Sequence, residues 1–553
     1  MRISFKVPDA DPVEREIAEG TTIEELYKEV KDDLPYVCMA AKVNNEYRSL
    51  TDPLQKPCSV ELIDMRVKGA CRVYQASLSL VFLAAARKVL GSVLLQISNS
   101  LNKGLFVEVK AKGGATEEAA EAIAREMQAL IEKDLPLVHE HMRREEGIER
   151  IKAIGDRAKL RLVEDKPELK WLEFYTLEGY SEFFYSIMVP STGYLHKFTL
   201  EKYKRGFLLR FPDKYDPAGI PAYKDEPGMY RAFGEQNEWG RIMGVNYVCD
   251  LNEKIAAGNE RDLIELSEAL HDKRITEIAN MITEQGRRLV LIAGPSSSGK
   301  TTFAKRLCIH LRVNGMKALY MGTDDYFKDR KDMIPDDKGE FDFEGLEAVN
   351  IDLFNSNMKD LLAGKETDLP EFDFLKGEKV FGKRVTTIDK NTVIVIEGIH
   401  ALNEVMTSEV AKEDKFKIYI SPLTQLNIDA HNRIPTTDER LLRRIVRDDR
   451  TRGRNAAETI KGWGAVRRGE DRNIFKYCDE ADVMFNSYHI YEIAVLKKYA
   501  EPLLEAITPD REEYAEARRV LTFLKFFRMI KDDSVIVNDS ILREFIGGSI
   551  YVN

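Results

Sequence analysis

Five short runs of nearly unbroken apolar residues stand in the C-terminal half of the chain: RLVLIAG, KALYMG, TVIVIEG, KFKIYI and ADVMFN, beginning at Arg288. Each is strand-length, and helical stretches separate them. A strand without polar alternation is covered on both faces, so the pattern predicts a doubly wound parallel sheet with helices on either side, over 286–508. Upstream the rhythm differs. ISFKV alternates near the N-terminus, Thr21-Thr22-Ile23-Glu24-Glu25 has the form of a capped short helix, and CMAAKV and SVELI read as further strands. Together they predict a small β-rich unit over 1–65.

An α+β region is expected over 66–212. Its clearest element is a helix opening at Thr116 with two acids in its first turn, carrying Ile123, Met127, Leu130 and Ile131 on one face and closed by Pro136. The proline-rich stretch FPDKYDPAGIPAYKDEPG then predicts an irregular boundary. A mostly helical connector is expected over 213–285, and a tail over 509–553 with a helix near 511–531.

The most apolar window, Leu78 to Ile97, is interrupted by Arg87 and Lys88. A membrane span needs roughly 20 apolar residues in succession, so a buried helix and strand are expected here, with no membrane association. The N-terminus, MRISFKVPDADP, has acids where a signal peptide needs an apolar core. Six scattered cysteines without a CxxC pair suit a reducing compartment, and the expected location is the cytoplasm. The net charge of −10 argues against a protein coated in nucleic acid, though it leaves room for one basic groove.

The first run leads into Gly294-Pro295-Ser296-Ser297-Ser298-Gly299-Lys300-Thr301 and then an amphipathic helix. The two glycines let the backbone turn its N–H groups toward phosphate oxygens, and the helix adds the positive end of its dipole. Lys300 can reach the β- and γ-phosphates of a bound nucleotide, and the Thr301 hydroxyl can ligate Mg²⁺. A chance Gly/Ser turn would not need the strand–loop–helix context.

Asp324, in Thr323-Asp324-Asp325-Tyr326-Phe327, follows the second run and so falls at the carboxyl edge of the sheet. A carboxylate there can take the proton of an attacking hydroxyl; the same residues also suit a helix N-cap. Glu397 ends the third run, the usual place for an acid that organises Mg²⁺. In DERLLRRIVRDDRTRGR, taken as a helix, Arg440, Arg443, Arg444 and Arg447 share an arc of about 100°. Gly453 follows as a hinge, with Arg452 and Arg454 beside it. Such a stripe suits a lid over a triphosphate, a salt-bridged face, or RNA backbone binding.

Together these residues resemble the uridine kinase branch of the uridine kinase/phosphoribulokinase family over about 288–505. GPSSSGKTT is similar to the family's phosphate loop, which implies nucleotide contacts from Gly294, Ser296, Ser297, Ser298, Gly299, Lys300, Thr301 and Thr302. TDDYF resembles QDSFY, which makes Asp324 the catalytic base. Glu340-Phe341-Asp342-Phe343 resembles NFDHP, whose acid holds the ribose and falls on Asp342. VIVIEGIHAL is similar to VVLFEGILAF, and RRIVRDDRTRGR to RRVLRDISERGRD. The resemblance thus gives Lys300, Arg447 and Arg452 catalytic roles, Arg444 and Arg454 substrate contacts, and Thr301 and Glu397 the metal. LPEFDF resembles IPVYDF, but the family's base-reading Tyr and His are Phe372 and Gly377 here, and its later Gln falls at Gly462. Trp463 suits either base stacking or core packing. An apolar slot discriminates weakly, so the implied reaction, phosphorylation of uridine or cytidine by ATP, is firmer in its class than in its base.

Residues 1–65 resemble a TGS domain, a β-grasp module, and 66–212 resemble the editing-type domain of threonyl-tRNA synthetase. ISNSLNKGLFVEV is similar to IGPVIDNGFYYDV, and MVPSTG to HVPSTG. The editing site needs an HxxxH pair, a Cys and a further His. No His precedes His139 here, and Phe184 and Met188 stand at the last two positions, so neither the hydrolytic set nor its zinc is expected. His139 and His141 are expected at the surface. Such a scaffold leaves RNA contact or assembly into a homo-oligomer as the expected partnerships. An RNA-binding regulator that uses ATP as a switch, and a phosphoribulokinase-like sugar-phosphate kinase, stay open beside the nucleoside kinase.

Overall fold

The computed structural model of the chain describes residues 1–333 and 345–552. All five apolar runs form strands of one parallel sheet. Its order is Lys317–Gly322, Thr392–Glu397, Leu289–Ala293, Lys415–Ser421, Val483–Asn486. The central strand is buried along its length and alternates between two cores. Val290 and Ile292 face a core with Ile278, Phe303 and Leu441, while Leu289, Leu291 and Ala293 face one with Phe233, Phe354 and Met358. Period two with both faces apolar is what a doubly covered sheet requires.

The helices Val248–Ala256 and Glu260–Glu284, in the segment read as a connector, pack into the first of these cores through Val248, Leu251, Ile275, Ile278 and Ile282. So do Ile151, Leu162, Phe174 and Phe183 from farther upstream. The second region and the connector are therefore packed onto the sheet region by apolar burial, the dominant favourable term in such association.

The first region is a five-stranded sheet of order Val13–Glu16, Arg2–Lys6, Ser59–Asp64, Cys38–Val43, Glu46–Arg48. Its helix Ile23–Lys28 opens on Thr22, whose side chain accepts from the Glu25 N–H while Glu25 reaches back, the reciprocal cap that TTIEE predicts. The second region has four antiparallel strands and a separate three-stranded sheet around the helix Lys68–Leu90. By length and composition that helix could cross a membrane, but 72% of its apolar window is buried within the protein. The helix after Thr116 runs Glu117–Glu132 with Thr116 as its cap and Ile123, Met127, Leu130 and Ile131 buried. It stops short of Pro136: Asp134, at φ 49°, turns the chain first. The tail helix is also shorter than its pattern, Tyr514–Leu524: the apolar residues after it, Phe526, Phe527 and Ile530, leave the helix and are buried in the first core.

Candidate active site

The phosphate loop lies between the central strand and the helix Lys300–Val313. Gly294 has no room for a side chain, since a Cβ would collide with the Ile420 carbonyl. Gly299 sits at φ +81°, where its Cβ would meet Ile541.

Three successive loop carbonyls are pulled outward. Arg440 Nε donates to Ser296 O at 3.0 Å, Arg443 Nη1 to Ser297 O at 3.2 Å, and Ser487 Oγ to Ser298 O at 2.6 Å. Peptide planarity then turns the N–H groups of Ser297 and Gly299 the other way, toward the inside of the loop. Arg444 holds the Ser296 hydroxyl at 2.7 Å.

This corrects the arginine stripe. The helix Thr436–Arg452 does not present it as one closing face, because Arg440 and Arg443 are 1% and 0% exposed, beneath the loop. Arg440 pairs with Glu470, and Arg443 pairs with Glu492, Nη2 to Oε2 at 2.7 Å. Buried guanidinium groups need such partners. Asp448, itself buried, faces three guanidinium groups: Arg447 at 2.7 Å, Arg444 at 3.2 Å and Arg452 at 3.6 Å. Gly453 ends the helix at φ 62°, and Arg452 and Arg454 beside it are exposed.

The remaining groups meet at the carboxyl ends of three adjacent strands. Glu397 lies level with Ile292 on one side and Gly322 on the other. Thr301 Oγ1 donates to Glu397 Oε1 at 2.7 Å, and the Tyr320 hydroxyl donates to the same oxygen at 3.0 Å. Burial and the Glu397 charge push the Tyr320 phenol well above its ordinary pKa, so it remains a donor. Asp324 stands in a 3₁₀ turn directly after the strand Lys317–Gly322, and no side chain caps that turn. Its neighbour Asp325 is committed to Arg384 at 2.8 Å. Phe372 is buried, edge-on to Phe327 and Phe374 at 5.7 and 5.1 Å. Trp463 is buried beneath Arg440 and Arg444, 5.2 and 6.0 Å from its ring, which makes it a packing residue. Asp342 lies outside the described residues.

These residues fit a magnesium nucleotide. The Ser297 and Ser298 hydroxyls are buried without a hydrogen-bond partner. Lys300 Nζ reaches only the carbonyls of Gly294 and Pro295, at 3.0 and 3.3 Å, and has no ion pair among the described residues. A hydroxyl and a carboxylate 2.7 Å apart, Thr301 and Glu397, suit a hard cation.

Two acids at the loop carry no sequence signal. Glu470 accepts the Ser296 N–H at 2.9 Å. Glu544, from the tail, accepts Thr302 Oγ1 at 2.8 Å and the Thr302 N–H at 3.4 Å, in the first turn of the loop's helix. Burial raises the Glu544 carboxyl above its ordinary pKa. Tail residues also close on the loop through Ile541 and through the Tyr551 carbonyl, which accepts from Lys305 at 2.6 Å.

In the second region Phe184 and Met188 are core residues. His139 and His141 are exposed and both reach Glu173, at 2.6 Å each. Among the described residues no group of three or more His, Cys, Asp or Glu is placed to hold a metal ion.

Residues 289–494 match the family model described as Phosphoribulokinase / Uridine kinase family. The threonine–tRNA ligase of Listeria monocytogenes serotype 4a (strain HCC23) is 25% identical over 196 residues, which make up 35% of this chain and 31% of the ligase. That of Geobacillus sp. (strain WCH70) is 26% identical over 200 residues, 36% of this chain and 30% of the ligase. The chain thus spans under a third of the length of these curated relatives. Among solved structures, one described as a possible uridine kinase from Bacillus stearothermophilus is 20% identical and covers 38% of this chain and 97% of its own, with a TM-score of 0.25. D-glycerate 3-kinase from Cryptococcus neoformans is 14% identical, covers 45% and 87%, and has a TM-score of 0.21. Likenesses at these scores carry no argument. The family match covers the segment that holds the phosphate loop: residues 289–494 are similar to the phosphoribulokinase/uridine kinase family, and about a third of the chain is similar to part of the threonine–tRNA ligases.

Proposed function

We propose that the chain transfers the γ-phosphoryl group of ATP to the 5′-hydroxyl of a nucleoside, with uridine and cytidine as the first candidates. One observation carries the reading: Asp324, the Thr301–Glu397 pair and the phosphate loop share the carboxyl edge of three adjacent strands. The 5′-oxygen forms the new bond to phosphorus as the bond to the β-phosphate oxygen breaks, and Asp324 takes the hydroxyl proton. Lys300 and the arginines around Asp448 supply the positive charge that the transferring group needs. Thr301 and Glu397 would hold Mg²⁺, which neutralises phosphate charge when bound. The aromatic cluster of Phe327, Phe372 and Phe374, the last of them exposed, supports a pocket for a planar base rather than a set of hydrogen bonds to its edge.

Asp324→Asn is expected to abolish turnover, with at least a 10³-fold loss, while ATP still binds. Near-normal rates would remove the assignment. A panel of nucleosides in one ATP-consumption assay sets the base. Ribulose 5-phosphate belongs in the same panel, because the exposed guanidinium groups of Arg452 and Arg454 also suit an acceptor that already bears a phosphate.

A further inference from the structure

A cavity of about 240 Å³ opens where the first and second regions, the segment 431–435 of the kinase region and the tail meet, and no residue given a catalytic role lines it. Its walls come from the strand Glu46–Arg48, the helix Lys68–Leu90, the segments 184–187 and 431–435, and the helix Tyr514–Leu524. Its lining includes the apolar Ile97, Phe184 and Ile187 and four arginines, Arg72, Arg433, Arg518 and Arg519, against one acid, Glu46.

Two of those arginines are already balanced. Arg72 is bidentate to Glu516 at 2.7 and 2.8 Å, and Arg519 is bidentate to Asp438 at 2.7 and 2.9 Å. Arg433 is not. Its Nη1 donates to the Ser100 hydroxyl at 2.8 Å, its Nε is buried with no acceptor, and it has no ion pair among the described residues. Burial pushes its pKa down to about 10, against an opposing pull from Asp438 and Tyr185. Lys68, behind the same wall, is pushed down to about 7 by burial and by Arg72. Arg433 is half-buried, and a partly desolvated cation without a carboxylate partner is kept where something offsets it.

We infer that this cavity binds a small organic anion, a carboxylate or phosphate monoester on an apolar or planar body, with its head group on Arg433 and its body against Ile97, Phe184 and Ile187. A guanidinium without a carboxylate partner offers the planar donor set that such head groups fit. The apolar wall selects against bare inorganic ions. The site touches the kinase domain directly. Pro435 lines the cavity and Asp438 sits behind it, at the start of the same helix whose Arg440 and Arg443 grip the phosphate loop. The inference does not rest on which acceptor that domain phosphorylates.

Calorimetric titration of the full chain with benzoate, phenyl phosphate and uncharged benzyl alcohol tests it, the two anions distinguishing the head group. At least one anion is expected to bind and the alcohol is not. Arg433→Gln, which keeps the apolar wall, is expected to weaken that anion about tenfold or more. Lys300→Ala, altered in the phosphate loop, is expected to leave it unchanged. Failure of both anions to bind at millimolar concentration, or equal binding by parent and Arg433→Gln, overturns the site. Arg433→Gln is also expected to melt no lower than the parent, since it removes an unpaired charge. Should that variant not fold, crystals of the parent soaked in 4-bromobenzoate and in 4-bromophenyl phosphate give the answer: an anomalous bromine peak inside the cavity with either supports the site, and its absence with both overturns it.

Discussion

At the scale of single residues, the site depends on how Glu397 is aimed. Two hydroxyls, Thr301 and Tyr320, donate to the same carboxylate oxygen, and only Thr301 belongs to the phosphate loop. Tyr320 touches no part of a bound nucleotide by motif, so it acts by positioning. A hydrogen bond to a charged acceptor is worth about 1.5–3 kcal/mol, part of which Thr301 retains. Tyr320→Phe is therefore expected to lower kcat about five- to tenfold and to raise the Mg²⁺ concentration needed for half-maximal rate, with the melting temperature nearly unchanged. A Mg²⁺ titration of ATP turnover reads this directly; an unshifted titration assigns the aim of Glu397 to Thr301 alone. Gly294, Lys300, Thr301 and Glu397 were legible in the sequence because each stands in a short motif tied to a strand end. Tyr320, Glu470 and Glu544 were not. Nothing in their local spacing marks them, and only the fold brings them within 3 Å or so of the loop's donors and of Glu397.

At the scale of elements, the helix Thr436–Arg452 and the tail share the work of holding the loop. An arginine arc can be counted from the sequence, but which side of a helix faces the core depends on where the carboxylates come from. Glu470 and Glu492 lie 30 and 49 residues from Arg440 and Arg443, so the buried pairs were invisible to local pattern. The same limit hid the tail. Its apolar residues extended the expected helix to 531, whereas Phe526, Phe527, Ile530, Ile536 and Ile541 are buried outside any helix, on the way to the loop. There Glu544 places a carboxylate on Thr302, at a helix N-terminus that also attracts phosphate. Two anions cannot share those donors without repulsion. Glu544→Ala is expected to tighten ADP and ATP binding by about three- to tenfold, within the worth of one helix-terminal charge. Nucleotide titration followed by fluorescence or calorimetry measures it. Weaker binding in the variant would instead make Glu544 a support for the loop.

At the scale of the whole molecule, the docking of the second region onto the kinase domain combines an apolar core with buried charge, including a network centred on Glu182. Lys159 reaches Glu182 at 2.5 Å, and His431, from the kinase region, reaches the other oxygen of Glu182 at 2.6 Å. Burial alone would raise the Glu182 carboxyl, but Lys159 and His431 outweigh it and hold the group well below the ordinary carboxylate range. Glu182→Gln leaves Lys159 buried with weaker partners, Asp156 at 3.1 Å and Asp429 at 3.8 Å. Breaking such a pair from one side costs about 3–5 kcal/mol, and the variant is expected to lose that much at pH 7. The pH dependence has a definite sign. A carboxyl whose folded pKa is depressed contributes stability that is complete above its unfolded value, about 4.3, and is lost as pH falls through that value toward the folded one. The gap between parent and Glu182→Gln should thus stay constant from pH 7 to about 5.5 and close progressively below about pH 4. Urea denaturation of both proteins across that range tests it; a gap that persists undiminished at pH 3 would show that the glutamine loses packing rather than charge.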